Sequence, residues 1–544
     1  MRQREEHLGE KGTTGNEAHR QDVKAYLIGG GIASLAAAAF LIRDGDMPGH
    51  RITIFEELDR MGGSLDAGGS AEEGYVLRGG RMFESKYLCT FDLFSSIPTL
   101  DDRQTVTEEI QQWNKTLRTS SKARLFRNGE RQTAPKFGLS EAHIVRLEVL
   151  AIEPELALGA SRIDDHFDES FFATDFWIMW CTTFAFQPWH SAVEFKRYLR
   201  RFSHMVKGFN RLEGIMRTVF NQFDSMVRPL ERWLMQHGVI FKSKTQVTSL
   251  GMLEEGGRKT IELISTLHDG RDEDVAVRPW DLVLVTLGSM TEGSTQGSML
   301  HAPLQQSDNV GSAIKLWTRL AWGRPEFGRP ETFFGDVEHS RWISFTTTLR
   351  DPSLLDLIMT LTGNVPGEGG LITFPDSNWL MSIVVPHQPH VLHQPDGIGV
   401  FWGYGLKIDM PGNFIDKPMT ACSGAEIMTE VLGHLGRDIE PEVLSEHLVC
   451  IPCLLPFITS QFMPRAAGDR PAVVPRGSVN LGLMGQFCEI PEDVVFTVEY
   501  SIRSAQLAVY QLLGLGRKPP AVYHGMTEPQ VLLDAFRALH DMAQ

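Results

Sequence analysis

Short apolar runs that end at glycines alternate along this chain with longer amphipathic stretches. Residues 26–39, YLIGGGIASLAAAA, pass from an apolar run through three glycines into an alanine-rich run without a helix breaker. That order predicts strand, tight turn and helix. Residues 51–55 form a second apolar run one helix later and end at Glu56, so residues 23–66 read as a βαβ unit. Residues 193–206 predict an amphipathic helix, with Phe195, Leu199 and Phe202 on one side, Tyr198 beside them, and Lys196, Arg197, Arg200 and Arg201 elsewhere. A further helix is expected over 216–234, and β structure over 239–241, 246–253 and 259–267. Residues 281–286, DLVLVT, have the composition of a buried strand and lead into Leu287-Gly288-Ser289. Between 300 and 455 the strongest strand signals are 379–385 and 399–405. Near the end, a buried strand runs to Gly485-Gln486-Phe487. An acidic helix start follows at Pro491-Glu492-Asp493, then a long amphipathic helix. A last amphipathic helix spans 526–542, and docking on the body is its expected role. Residues 118–132 read as basic and loop-rich. The aromatic-dense stretch 167–186 reads as a buried helix core in preference to the wall of an apolar pocket.

A length of 544 residues suggests two to four structural units. The 42% hydrophobic and 22% charged content is that of a soluble globular protein. A formal charge of -16 argues against a nucleic-acid backbone as partner, and against broad attachment to anionic lipid. Residues 1–22 are polar and are expected to be a disordered tail, not a secretory signal. The uncharged run 25–42 is long enough to suggest a membrane span, but its triple glycine after a short strand argues against one. The six cysteines are sparse, which suits reduced thiols in a cytosol. Cys450 and Cys453 have CxxC spacing, yet no second CxxC or histidine pair completes a metal site, so buried structural thiols are expected and no metal.

The chemistry concentrates in three places. Gly29-x-Gly31-x-x-Ser34 fits a dinucleotide fingerprint, with Gly30 and Ala33 inside it. Gly29 allows the tight turn, Gly31 lets a pyrophosphate approach the backbone, and Ser34 lets the helix pack close to the sheet. Glu56 could accept from a ribose hydroxyl. The pair Gly62-Gly63 just after it is closer to FAD-binding Rossmann proteins than to NAD-binding ones. The expected FAD-contacting set is completed by Glu57, Ser64, the strand end Thr286 with Gly288 and Ser289, and Gly485 with Gln486. Third, Arg78-Gly79-Gly80-Arg81 is either a loop against a flat or anionic ligand or a surface turn with solvated arginines.

Taken together, several stretches resemble the oleate hydratase family, also called the myosin-cross-reactive antigen family. They are IFEELDRMGGSLD, RGGR with FDLFSSIPTL after it, PWHSAVEFKRYLRRF, VTLGSMTEGST, VFWGYGL, PFITSQFMPR and GQFCEIPEDVVFTVEYSIRSAQLAVY. The likeness covers about residues 23–512. It implies an α/β fold: a discontinuous FAD-binding Rossmann-like domain, an inserted α+β substrate domain and a small C-terminal helical region. After the tail (1–22), the FAD-binding parts would be 23–90, 201–300 and 476–515. The substrate parts would be 91–200 and 301–475, and the helical region 516–544. The implied activity is addition of water to the cis-9 double bond of a free unsaturated fatty acid such as oleic acid, giving a 10-hydroxy acid without net redox. FAD, active as reduced flavin, would serve structure and local electrostatics. The resemblance makes Tyr198 the proton donor and places Gln222 on the fatty-acid tunnel. The family's usual water-activating Glu is replaced here by Met82, whose thioether cannot act as a base; Glu84 is the nearest carboxylate in sequence, and backbone groups holding the water or the flavin polarising it are equal alternatives. Phe220 and Phe223 stand where many members have Tyr. The alternatives are a flavin-dependent double-bond isomerase or other redox flavoenzyme such as a desaturase, and a fatty-acid-binding flavoprotein without turnover. The resemblance further implies a monomer or homodimer, in the cytoplasm, with transient contact at a membrane surface.

Overall fold

The computed structural model describes residues 22–79, 82–305, 310–437 and 446–541. The disordered-tail expectation for 1–22 therefore lies outside the described residues, apart from Asp22.

A five-stranded parallel sheet organises the molecule. Its order is Leu481–Met484, Leu282–Thr286, Ala25–Ile28, Ile52–Phe55, Ile240–Lys242. Ala25 lies opposite both Leu282 and Ile52, so the first strand of the chain is central. A strand covered on both faces has no polar side, which is why AYLI and LVLV lack alternation. The helix Ile32–Arg43 packs on this sheet and against the helix Val498–Leu512. Residues Leu35 to Leu41 in it are essentially inaccessible, and the run of small side chains 36–39 suits a helix packed between sheet and helix.

An antiparallel meander, Thr245–Glu255, Arg258–His268 and Arg271–Ala276, follows the edge strand. The third assembly is an eight-stranded sheet. Its order is Thr295–Gln296, Leu448–Leu455, Trp342–Leu349, Gly399–Gly405, Ser382–Val384, Leu371–Thr373, Leu125–Arg127, Glu130–Gln132. The central strand WISFTTTL is buried throughout although it carries three threonines. Two of these hydroxyls have partners that account for their burial. Thr348 and Thr346 accept the backbone N–H groups of Tyr75 (2.8 Å) and Leu77 (2.9 Å). They thereby hold the two-stranded ribbon Ala67–Ser70 and Gly74–Leu77 across the sheet.

The α/β class with a parallel nucleotide-type sheet is present, and several sequence-based boundaries are corrected. Residues 118–132 are loop as far as Arg124 and then add two short strands, Leu125–Arg127 and Glu130–Gln132, where the buried Arg124 donates to Thr373, Met179 O, Thr182 and Thr183 and ties them in. The helix expected from 216 begins as a π-helix at Phe223–Val227 and continues as Arg228–Gln236. The helix expected over 193–206 is Ala192–Arg201, followed by 3-10 turns over Ser203–Arg211. The strand expected over 379–385 shortens to Ser382–Val384, since Leu380 takes a left-handed conformation (φ 46°). Pro491-Glu492-Asp493 is a turn, and the helix starts seven residues beyond Pro491, capped by Thr497. The last helix, Pro529–Leu539, packs against the 203–211 segment. The stretch 167–186 forms Glu169–Phe172 and Asp175–Phe184 and is mostly buried. All six cysteines are free and buried, and burial pushes the Cys450 and Cys453 thiols up to about 12. No described helix is long and apolar enough to cross a membrane.

Candidate functional site

The carboxyl ends of the parallel strands converge on a cradle of backbone. Gly29, at φ 92°, turns the chain from strand to helix while its N–H donates to Phe55 O at 2.9 Å. Gly31 and Gly63 face each other so closely that a Cβ on Gly63 would lie 3.0 Å from Gly31 Cα. The helix Ile32–Arg43 begins there with no side-chain cap and no acid in its first turn, so its leading N–H groups remain for an incoming anion. These features fit the pyrophosphate of a dinucleotide. Ala33 and Ser34 are buried beneath the turn, and Ser34 Oγ meets Thr286 Oγ1 at 3.2 Å. Gly485 sits on the other side of Thr286, where a Cβ would come within 3.1 Å of its methyl group.

Other expected residues are occupied within the protein. Glu56 accepts from Gly30 N (2.6 Å) and Leu58 N (2.8 Å), and burial raises its pKa. Glu57 hydrogen-bonds Ser312 Oγ. Arg78 pairs with Asp66 (2.6 Å) and donates to Ser294 Oγ (2.9 Å) and Gly63 O (3.2 Å). It therefore braces the glycine cradle while also lining a cavity beside it. Gln486 donates to Thr497 O and Ser501 Oγ, and accepts from Phe496 N, which shapes the loop above the flanking strand. Ser289 N and the start of the helix Ser312–Ala321 donate to Glu292, a half-buried acid that desolvation pushes up to about 7. Sequence reasoning misses Glu292, whose only signal is its place after the Gly288-Ser289 turn. Gly80 and Arg81 lie outside the described residues.

Two adjoining cavities open beside this cradle, with empty spaces of about 1030 and 710 Å³ including open solvent. Gly79, Arg217, Val384 and Trp402 line both. The larger is walled mainly by apolar and aromatic groups, including Phe184, Phe202, Ile215, Trp342 and Leu371. Thus the aromatic stretch 167–186 serves as core and also, through 182–185, as pocket wall. Gln222 lines the smaller cavity with Ser64, and no described residue hydrogen-bonds either end of its amide.

At the junction stands Arg217. Its backbone is clamped by the Asn114 side chain, which accepts from Arg217 N (2.8 Å) and donates to Arg217 O (2.7 Å). Its Nε and Nη2 are sealed from solvent and have no hydrogen-bond partner among the described residues, and burial lowers its pKa to about 10. The Trp113 indole N–H is also unpartnered among the described residues, and Trp113 lines the smaller cavity. His390, which burial holds neutral at about 3, lines it too. Buried donors without acceptors are costly. One carboxylate would satisfy several of them.

The larger cavity is also lined by Tyr198, Met82 and Glu84. Tyr198 is buried, and its hydroxyl donates to Val495 O at 2.5 Å. Burial, reinforced by Tyr87, Glu194 and Asp493, raises its pKa well above the ordinary phenol value, so it is protonated at neutral pH. Its helix is anchored by Glu194, one turn earlier, which receives Arg465 and Arg470, each at 2.8 Å. Glu84 is equally buried. It faces Arg201 Nη2 at 2.6 Å and accepts from Lys86 N at 2.6 Å, with His204 Nε2 at 3.3 Å. Burial pushes this carboxyl up, but the His204 hydrogen bond and the Arg201 charge outweigh it and hold the pKa below the ordinary value. Met82 offers only its thioether to the cavity.

Residues 22–510 match the model of the MCRA family. An oleate hydratase of Streptococcus pyogenes is 39% identical over 530 residues, covering 95% of this chain and 90% of that protein. A linoleate hydratase of Lactiplantibacillus plantarum is 33% identical, covering 95% and 98%. Among solved structures, an oxidoreductase from Methanosarcina mazei superposes with a TM-score of 0.51 at 14% identity, covering 90% of this chain and all of that one. A cyclohexylamine oxidase from Brevibacterium oxydans gives 0.51 at 12% identity, covering 91% and 99%. At such identities the last two establish likeness of fold alone.

Proposed function

The chain belongs to the MCRA family, and from that premise we infer that it is a fatty-acid hydratase, adding water to the cis-9 double bond of oleic acid to form a 10-hydroxy acid. The observation that carries this reading is a protonated, buried phenol, Tyr198, in the wall of an apolar cavity that adjoins Arg217, whose Nε and Nη2 have no hydrogen-bond partner among the described residues. A long apolar acid has that polarity: its carboxylate suits Arg217, Gln222 and Trp113, and its chain suits the aromatic walls.

In this reading the Tyr198 hydroxyl delivers its proton to C9 while a water oxygen bonds to C10. The water's proton passes to Glu84 and returns through the cavity to Tyr198, so atoms balance and no electron acceptor is used. Burial keeps the phenol protonated but also makes it a weaker acid, so close placement in a dry cavity must lower the barrier. Met82 takes no proton in this scheme; it contributes apolar surface beside the double bond. FAD in its reduced form is the proposed resident cofactor, and when bound it supplies a polar, electron-rich face to the site. Gly29, Gly31, Gly63 and the start of the helix Ile32–Arg43 would hold its pyrophosphate, with Gly79, Thr286 and Gly485 near its rings.

The test is incubation of the purified protein with oleic acid, FAD and a reductant. A product heavier by one water, without consumption of an electron acceptor, supports hydration. A product lighter by two hydrogens, or an isomer of unchanged mass, contradicts it. Two variants probe the ends of the site. Gly31→Val is expected to cost at least about tenfold in flavin affinity, read by flavin fluorescence titration, because its side chain fills the pyrophosphate approach. Arg217→Met is expected to raise KM for oleic acid about tenfold or more while kcat changes less, since a desolvated charge-assisted hydrogen bond contributes ~1.5–3 kcal/mol. Oleyl alcohol should lose that discrimination.

A further inference from the structure

The wall that carries Glu84 is closed from outside by residues far away in sequence. His204 follows the helix Ala192–Arg201, and its Nε2 approaches Glu84 Oε2 at 3.3 Å. Its Nδ1 is buried, with no partner among the described residues. A proton on Nε2 directed at the carboxylate lets the imidazole donate to Glu84.

The C-terminal segment covers this imidazole. The Tyr523 ring lies edge-on to it at 4.9 Å, with Lys86 Nζ at 4.8 Å and the Arg201 guanidinium at 5.7 Å from the same ring. Gly525 presses on the same turn so closely that a Cβ there would lie 2.6 Å from Ser203 Oγ. The segment is fastened on both sides of Tyr523. Arg503 donates to Pro520 O, and His524 pairs with Glu492 at 3.2 Å. Chain from beyond residue 516 thus forms the outer shell of a carboxylate that lines the reaction cavity.

We propose that His204, held in place by Tyr523 of the C-terminal segment, is a positioning residue that orients Glu84 as the acceptor of the water's proton. The inference rests on the reading of Glu84 given above. Arg201 supplies charge but not direction. The imidazole Nε2–H fixes Oε2, and with Lys86 N it sets the carboxylate plane. The ionisable groups around Glu84 are Arg201, His204, Lys86, Tyr87 and Tyr523, with Glu499 and Asp493 beyond Tyr87. Of the hydrogen bonds that hold Glu84 ionised, the one from His204 can be removed without removing the Arg201 charge. Its loss raises the Glu84 pKa, and the acid limb of kcat/KM then moves to higher pH.

The experiment compares His204→Leu, His204→Gln and Tyr523→Ala with the wild type, each loaded with FAD, using oleic acid across pH. His204→Leu is expected to lower kcat about tenfold, leave KM within about twofold, and shift the acid limb upward. His204→Gln, which keeps a donor, should restore most of the rate and the wild-type profile. Tyr523→Ala should move the profile in the same direction by less, and it keeps the test alive if His204→Leu folds poorly. Wild-type kcat and profile in both His204→Leu and Tyr523→Ala would overturn the proposal. Glu84→Gln separates the two levels. If that variant is inactive while His204→Leu is unaltered, the positioning role is wrong and the acceptor role stands. If Glu84→Gln retains full rate, both are wrong.

Discussion

Tyr198→Phe is expected to lower kcat for oleic acid hydration by about 10² to 10⁴-fold, with KM and flavin binding nearly unchanged. The substitution removes one oxygen and leaves the ring. That ring is locked by Phe184 and Phe186, each with centroids at 5.0 Å, and by Phe462 at 5.7 Å, so the phenylalanine should sit where the tyrosine sat. The hydroxyl's partner, Val495 O, loses a donor, at a cost of about 1 kcal/mol in stability. A structural role for the hydroxyl would appear as a lower melting temperature at near-normal turnover. A proton-donor role would appear as lost turnover with near-normal melting. Measuring both on one preparation decides between them.

The second large effect is on stability. Glu194→Ala is expected to destabilise the fold by about 3–5 kcal/mol, because it strands Arg465 and Arg470 in the interior without their anion. Burial alone would raise the Glu194 pKa, but Arg470, Arg465 and Arg197 hold it down at about 2. A depressed carboxylate contributes stability that is fully present above its unfolded pKa and lost as pH falls through the folded value. The contribution should therefore fade between roughly pH 4.3 and pH 2. Denaturant unfolding of wild type and variant at several pH values tests this. The gap between them should be constant near neutrality and narrow only in that acid window. Because Tyr198 lies one turn from Glu194, the variant should also lose activity.

The fold was legible where one segment decided its own fate. The run 26–39 predicts strand, turn and helix locally, and the glycine spacing states why. Legibility failed where distant partners decide. Nothing in RTSSKARLFRN shows that Arg124 will be buried among the hydroxyls of Thr182, Thr183 and Thr373 and so draw the end of a basic loop, Leu125–Arg127, into the sheet. A composition-based reading treats Arg217 as one more solvated cation. The clamp of its backbone by Asn114, 103 residues earlier, holds it between two cavities, where its Nε and Nη2 have no hydrogen-bond partner among the described residues. Tyr198 and Glu84 could be named from their segments, but the setting of Glu84 depends on His204 and Tyr523, the latter far along the chain. Arg78 is a mixed case. Its segment suggests a ligand-facing place, which the cavity lining keeps open, but does not show its pairing with Asp66 and Gly63. The domain limits inferred from sequence are a proposal that limited proteolysis can examine.

The measurement that tests the central claim most directly is mass spectrometry of the product formed from oleic acid in ¹⁸O-labelled water by the FAD-loaded, reduced protein. The account predicts a 10-hydroxy acid carrying one ¹⁸O, formed by the wild type and lost in Tyr198→Phe. Unchanged oleic acid with flavin bound, or a product with no label from water, would contradict it.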